Sequence, residues 1–342
     1  MPRNPKGSFR AHSNYIRAFC SLVYYPVPSI RQSLYDFLAT RIRQENALWN
    51  RSNIRIDIDK VRSSLHSAWG TEALLLMTGR IIDEEELLRL SNNWSAIQAY
   101  YVFYHCTQAL HIAKGHSRPE SHHTTQNIFF DYWGARPIYL PPWSLVFGVY
   151  GAQNTPPGFV ADLSVHPWSS SEGSNTWNLA LKALMTTRRE RFEEKCREKR
   201  KLKKSQRRQT WRRQESSRLV LGRMPRQEPA FSMPILSTEE KARIDSELRP
   251  STVMDYLYRI RLRTNYEDSN MFTDGPDDEY SSRHVRNAFC RLSSGTLFLH
   301  ELAIRELVRR DTFLVWVDQW IQRNSSQNTR VGLSARRIYH AT

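Results

Sequence analysis

The chain is poor in the residues that build the commonest metal and nucleotide centres. Its four cysteines, Cys20, Cys106, Cys196 and Cys290, are scattered without a CxxC pair, so they read as reduced, mostly structural thiols rather than zinc ligands. Glycine is scarce, at 13 of 342 residues, and none is arranged as a Walker loop, a dinucleotide fingerprint or a nucleophile elbow. Cys106, His111 and His116 recur at intervals of five, which does not bring them to one helical face, and the adjacent His122 and His123 diverge. No metal and no cofactor are expected. Apolar runs are short as well. None approaches the ~20 residues that span a bilayer, and the most apolar candidate, 138–152, is broken by Pro141 and Pro142. With a polar, basic N-terminus, this predicts a soluble cytoplasmic protein without a membrane partner.

Acid is the other shortage. Fifty Lys and Arg against 34 Asp and Glu give a formal charge of +16, and a 40% hydrophobic content is enough for a folded core. Location decides what the charge means. From Arg188 to Arg213 fourteen Lys or Arg face four Glu, a local +10 that holds most of the excess. Up to Lys199 the run contains i,i+4 pairs of Glu with Lys or Arg, as a solvated helix would. Beyond it the acids stop while Lys201, Lys203, Lys204, Arg207, Arg208, Arg212 and Arg213 continue, with Trp211 among them, so self-repulsion is not offset within the run. Lys199 to Arg213 is therefore the expected nucleic-acid contact, cations on phosphates and Trp211 on a base.

Hydrophobic spacing predicts a mainly α protein. A first long helix is expected over 29–49, and Phe19 to Val27 reads as a strand or an anchor on the bundle. Residues 54–59 alternate strictly, so a strand competes there with a helix entry. Helices follow over 60–90. A separate central helix is expected to start at the cap residues Ser91, Asn92 and Asn93 and to end at Lys114-Gly115. Ala99, Val102, Phe103, Cys106, Ala109, Leu110 and Ala113 form its narrow face of small apolar groups; Tyr100, Tyr101, Tyr104, Gln108 and His111 lie opposite, with His105 at the edge. Residues 141–175 are rich in Pro, Gly and Ser, 176–215 is one long helix, and 216–234 looks like a linker. Ser237 opens the next helix, 251–263 carries another, 281–310 is helical with an interruption near Ser293-Ser294-Gly295, 312–323 is the last, and the tail after Asn324 is polar and loose. The organisation expected is a bundle over 29–125 and 237–324, split by an insertion over 126–236 with a basic helical arm, then a polar tail over 325–342.

The run Ala99 to Leu110, followed by Pro119 and Ser121-His122, resembles the tyrosine-rich helix and following loop of the HEPN superfamily of helical-bundle domains. Arg259 to Phe272 is similar to the Arg/Asn/Tyr/Asp pattern that many members carry before their last long helices. With flanking helices the two stretches span about half the chain. The resemblance implies a HEPN-like bundle that binds RNA or other nucleic acid, works in a defence or stress module, and in some members dimerises. Catalytic members place an Arg four to six residues before a His and cleave RNA without metal. Arg118 and His123 have that spacing, with His122 beside them, although Pro119 inside the motif departs from helical geometry. An imidazole can move a proton at the 2′-hydroxyl or the 5′-oxygen while a guanidinium stabilises charge on phosphorus. The other reading of His123 is a loop histidine capping the next helix. In the second motif Arg261 and Arg263 either pair with Asp268 across a turn or face one groove with Tyr101, His105 and His122. Two functions follow: a nucleic-acid-binding module, or a metal-independent endoribonuclease.

Overall fold

The structure, a computed structural model, describes residues 4–24, 33–45, 55–81, 84–136, 139–148, 158–160, 174–268, 270–324 and 332–341. Within them the chain is a helical bundle with one two-stranded parallel pairing, Val146–Phe147 (β1) with Phe159–Val160 (β2). None of the helices is long and apolar enough to cross a membrane.

α1 (Pro5–Tyr24), α2 (Leu34–Gln44) and α3 (Ile58–Ile81) lead to α4 (Glu85–Ala113), which is packed between α3 and α9 (Glu279–Val308). Of the segment Phe19 to Val27, read as a strand or an anchor on the bundle, residues 19–24 belong to α1: Phe19, Leu22 and Val23 lie on its buried face, where helical spacing keeps them together and alternation would not. Residues 25–32 and 46–54, which include both ends of the long first helix expected over 29–49, lie outside the description. Of the alternating run 54–59, residues 55–59 resolve as a helix entry, because Asp57 Oδ1 accepts the Lys60 N–H at 3.2 Å and starts α3.

α4 begins earlier than its cap-like residues suggested. Ser91 and Ser95 donate back to the carbonyls of Leu88 and Ser91, and Asn92, fully buried, donates to the Ser282 carbonyl of α9 at 3.1 Å, so these side chains serve the interior and one continuous helix results. The small-residue face is buried throughout, and so are Tyr100 and Gln108 on the opposite side, because α8 (Val253–Leu262) and the loop before α5 cover them. Gly115, at φ 84°, ends the helix as expected. Overfilling the seam should show. Ala99→Leu or Ala109→Leu is expected to cost about 1 to 3 kcal/mol, whereas Ser117→Leu on the exposed loop should stay within ~0.5 kcal/mol; thermal melting that found all three alike would misplace the seam.

α9 is not interrupted. Ser293 and Gly295 are buried, and a Cβ on Gly295 would lie 3.0 Å from Val23, so the small residues mark where α1 crosses α9. The chain then turns at Arg309, φ 82°, into α10 (Arg310–Asn324).

The tail is the largest departure. Residues 333–341 form α11 (Leu333–Ala341), and fully buried Arg336 donates to both carboxylate oxygens of Glu72, at 2.6 and 2.9 Å, and of Glu301, at 2.8 and 3.0 Å. Trp69 Nε1 and His340 Nε2 complete the shell of Glu301 at 2.8 and 2.9 Å. Burial alone would push the Glu301 carboxyl up, but Arg336 and His340 outweigh it and hold it at about 2.

The segment read as an insertion feeds the same core. After α5 (His122–Phe129) and a π-helical turn over Phe130–Gly134, Trp133, Trp143 and Trp177 are buried among residues of α1, α4 and α9. Fully buried His300 ties these layers: its Nε2 accepts from Trp133 Nε1 at 3.0 Å and its Nδ1–H donates to the Thr296 carbonyl at 2.8 Å. Residues 149–157 and 161–173, most of the Pro/Gly/Ser-rich stretch, lie outside the description.

Candidate functional site

α6 (Ser174–Val220) is 47 residues long, about 70 Å at ~1.5 Å per residue. Its first half packs on α1, α8 and β1, and around Cys196 it meets Leu236, just before α7 (Thr238–Glu247), and Ile244 within it. From Arg197 to Val220 Glu215 alone is buried, so the basic half is a solvated arm. The expected linker does not leave it. The helix runs on to Val220, Gly222 turns the chain at φ 70°, and the following residues come back alongside. Glu228 there pairs with Arg208 and, at 3.4 Å, with Arg212; Glu240 pairs with Lys203 at 2.5 Å; and Glu215 holds Arg226 at 2.7 Å. Self-repulsion in the arm is thus offset from outside the run, which a count within 188–213 could not register. Among the described residues Lys199, Lys201, Lys204, Arg207 and Arg213 have no carboxylate within ion-pair distance. Half-buried Trp211 lines a shallow cleft with Lys203, Gln206, Arg207 and Thr210.

The second feature is a basket of rings where α4, α5 and α8 meet. Tyr100, Tyr101 and Tyr104 come from α4, His122 from the first turn of α5, and Tyr258 from α8, one helical turn before Arg261. The Arg261 guanidinium lies 5.3 Å from the Tyr101 ring centroid, 5.5 Å from Tyr100 and 5.7 Å from Tyr258. Among the described residues no carboxylate pairs with it, and its Nε is buried without a hydrogen-bond partner. A half-buried guanidinium held by ring faces alone is a desolvated cation without a counter-ion. His122 Nδ1 lies 2.8 Å from the Tyr100 hydroxyl, and its ring is 4.8 Å from Tyr104. Burial, and then Arg261, lowers the His122 pKa below its ordinary value, which favours the neutral imidazole. His105 stacks on Tyr101 at 5.8 Å, and burial reinforced by Arg118 takes it to about 4. When Nδ1–H of His122 donates to Tyr100, Nε2 is left as a proton acceptor.

The sequence-derived site residues therefore separate. Tyr101, His105, His122 and Arg261 converge. Arg263 does not: it is buried beneath α8, paired with Glu190 and 3.1 Å from His12 Nε2. Asp268 pairs with neither arginine but accepts from Ser8 Oγ at 2.8 Å. Arg118 is exposed on the loop before α5, near His105. His123 faces away from His122, as neighbours at 100° must, and lines another cavity; the capping of α5 falls to Ser121, whose Oγ accepts the Thr124 N–H at 3.0 Å. Arg118 is thus on the His105 side of the basket and His123 on the other cavity, while His122 lies beside Arg261. Tyr104 and Tyr258 were not singled out as site residues. The signal for Tyr258 was present as its i,i+3 spacing from Arg261.

The third feature is that cavity, about 810 Å3, between α5, α6 and α7. His123, Arg191, Lys195, Lys199, Phe130 and Leu248 are among its walls. A smaller one of about 170 Å3 shares His123 and Arg191 with it and reaches Tyr258 of the basket. Family models, curated proteins and solved structures yield no match to this chain.

Proposed function

We propose that the protein binds nucleic acid along the second half of α6. The observation that carries this is the solvated arm whose Lys201, Lys204, Arg207 and Arg213 have no carboxylate within ion-pair distance among the described residues. Such cations gain by exchanging small counterions for phosphates. Trp211 in its cleft offers a ring to an unstacked base, which favours single strands. The resemblance to the HEPN superfamily points to RNA and to a defence or stress role.

Replacing Lys201, Lys204, Arg207 and Arg213 together by Gln is expected to weaken RNA binding and flatten its dependence on salt. Each lost phosphate contact removes roughly 0.7 to 0.9 from the log-log slope, so the total is roughly 3. Glu228→Gln should steepen the slope by releasing Arg208 and Arg212. A slope indifferent to both changes would end this reading.

The tyrosine basket favours a second reading, metal-independent cleavage of single-stranded RNA. A neutral imidazole and an uncompensated guanidinium lie within one cluster, which suits attack by a 2′-hydroxyl on the adjacent phosphorus. The bond from O2′ to phosphorus forms as the bond to O5′ breaks. His122 takes the 2′ proton and returns it to the departing oxygen.

A further inference from the structure

The cavity beside His123 shares Glu198, Lys199 and Leu202 with the start of the arm and none of its lining with the basket. Its size, about 810 Å3, is that of a small-molecule site. Its walls differ. On one side α6 presents Arg191, Lys195 and Lys199 at intervals of four, a ladder of cations along one helical face. On the other, Phe130, Ile244 and Leu248 form an apolar wall of side chains nearly removed from water.

Charge bookkeeping shows what the ladder lacks. Four arginines gather where α6 meets α7 and α8. Arg188 has Asp245 at 2.8 Å, Arg259 has Glu194 at 3.0 Å, and Arg249 takes both oxygens of Asp255 at 2.7 Å. Arg191 is left with a 3.8 Å share of that same Asp255. Its side chain is only 13% exposed, and its other acceptors, Ser251 Oγ at 3.2 Å and the Arg249 carbonyl at 3.5 Å, are neutral, so it is a desolvated cation whose charge is only partly met. Lys195 is held by Glu198 at 2.8 Å, but Lys199, one turn further, has no carboxylate within ion-pair distance among the described residues. Asp131, across the cavity and next to Phe130, has no ion pair among them either, whereas Glu247, also in the wall, is paired with Arg243 at 3.8 Å.

We propose that this cavity binds a phosphate monoester carrying a planar ring, with the ring against Phe130 and Leu248, its N–H edge toward Asp131, and the phosphate on Arg191 and Lys199. The cavity's own groups carry the proposal, which does not depend on the arm binding nucleic acid. A phosphate completes the shell of Arg191 that Asp255 fills only in part. The ring fills space beside these side chains in a cavity too large to be left by packing defects.

The test is isothermal titration of the full chain with adenosine 5′-monophosphate, adenosine and inorganic phosphate, at a salt concentration that suppresses diffuse attraction. One saturable site for the monophosphate is expected, with adenosine and phosphate each at least about tenfold weaker. Lys199→Glu should weaken the monophosphate at least about fivefold, and Leu202→Asp at the rim should do the same. Lys201→Glu makes the same charge change on the far face of α6 and should leave it within about twofold. Equal affinity for the monophosphate and bare phosphate overturns the proposal, as does an equal loss in Lys199→Glu and Lys201→Glu. Monophosphate binding that survives the arm's four Gln substitutions, in a protein that no longer binds RNA, separates this site from the nucleic-acid reading.

Discussion

Arg336→Ala is expected to destabilise the protein by about 3 to 5 kcal/mol at neutral pH, the cost of leaving a buried charge without its partner. Two carboxylates lose their cation at once: Glu72 and Glu301 each give Arg336 a bidentate contact, and none of the three side chains is more than 3% exposed. Lysine cannot substitute. Its single ammonium cannot serve two forked acceptors, so Arg336→Lys should recover only part of the loss. The pH dependence discriminates this cause from lost packing. In the wild type Glu301 is held at about 2, below the ordinary ~4.3, so its contribution is present above the ordinary value and disappears as pH falls toward 2. Without Arg336 burial raises the Glu301 carboxyl, and its protonation then relieves the variant. The gap between variant and wild type should therefore narrow between pH 8 and pH 5 in denaturant titrations. A gap of constant size would make Arg336 a packing residue.

His122→Ala should abolish RNA cleavage, a loss of at least about a hundredfold, if the basket performs the second proposed reaction. The wild type is then expected to cut single-stranded RNA in excess EDTA and to leave a 2′,3′-cyclic or 3′-phosphate, while DNA of equal sequence survives for want of the nucleophile. Arg261→Gln should lose a comparable amount through charge stabilisation and His123→Ala little, because His123 lines a different cavity. RNA affinity should hardly change in any of them, since the arm is intact. The lowered pKa of His122 keeps the base form populated at neutrality, so the rate should be flat near pH 7 and fall only as the imidazole protonates in acid. Intact RNA from mildly acidic to mildly basic pH, under conditions where the protein binds it, rejects cleavage and leaves binding.

Features set by neighbours in the chain were readable in the sequence. The buried seam of α4 follows from a period of 3.6, and Ser237 with Glu240 forms the capping box expected before α7. The long α6 was readable for the same reason. Features set by distant partners were not. Ser91 and Asn92 look like caps until the rest of α4 is seen to continue through them toward Ser282. The last segment reads as a polar tail because Arg336 and His340 count as polar wherever they stand, and only Glu72 and Glu301 convert them to core. The site divides in the same way. His105, His122 and Arg261 could be suspected of one groove, but the spacing of Arg118 and His123 says nothing about which way a side chain leaves the first turn of α5. Acids that return along the arm are likewise invisible to a local charge count.

The docking of α11 also sets an order of events during synthesis. Glu72 leaves the ribosome 264 residues before Arg336. At ~5 to 20 residues per second this is a delay of roughly 13 to 50 s, long compared with the collapse of a helical bundle. Throughout it, α3 and later α9 carry carboxylates with no cation to meet them, so that end of the bundle must remain hydrated or protonated. The nascent chain is therefore a holding state whose closure at this point waits on α11, and translation rate over that stretch governs how long the open core is exposed to chaperones and proteases.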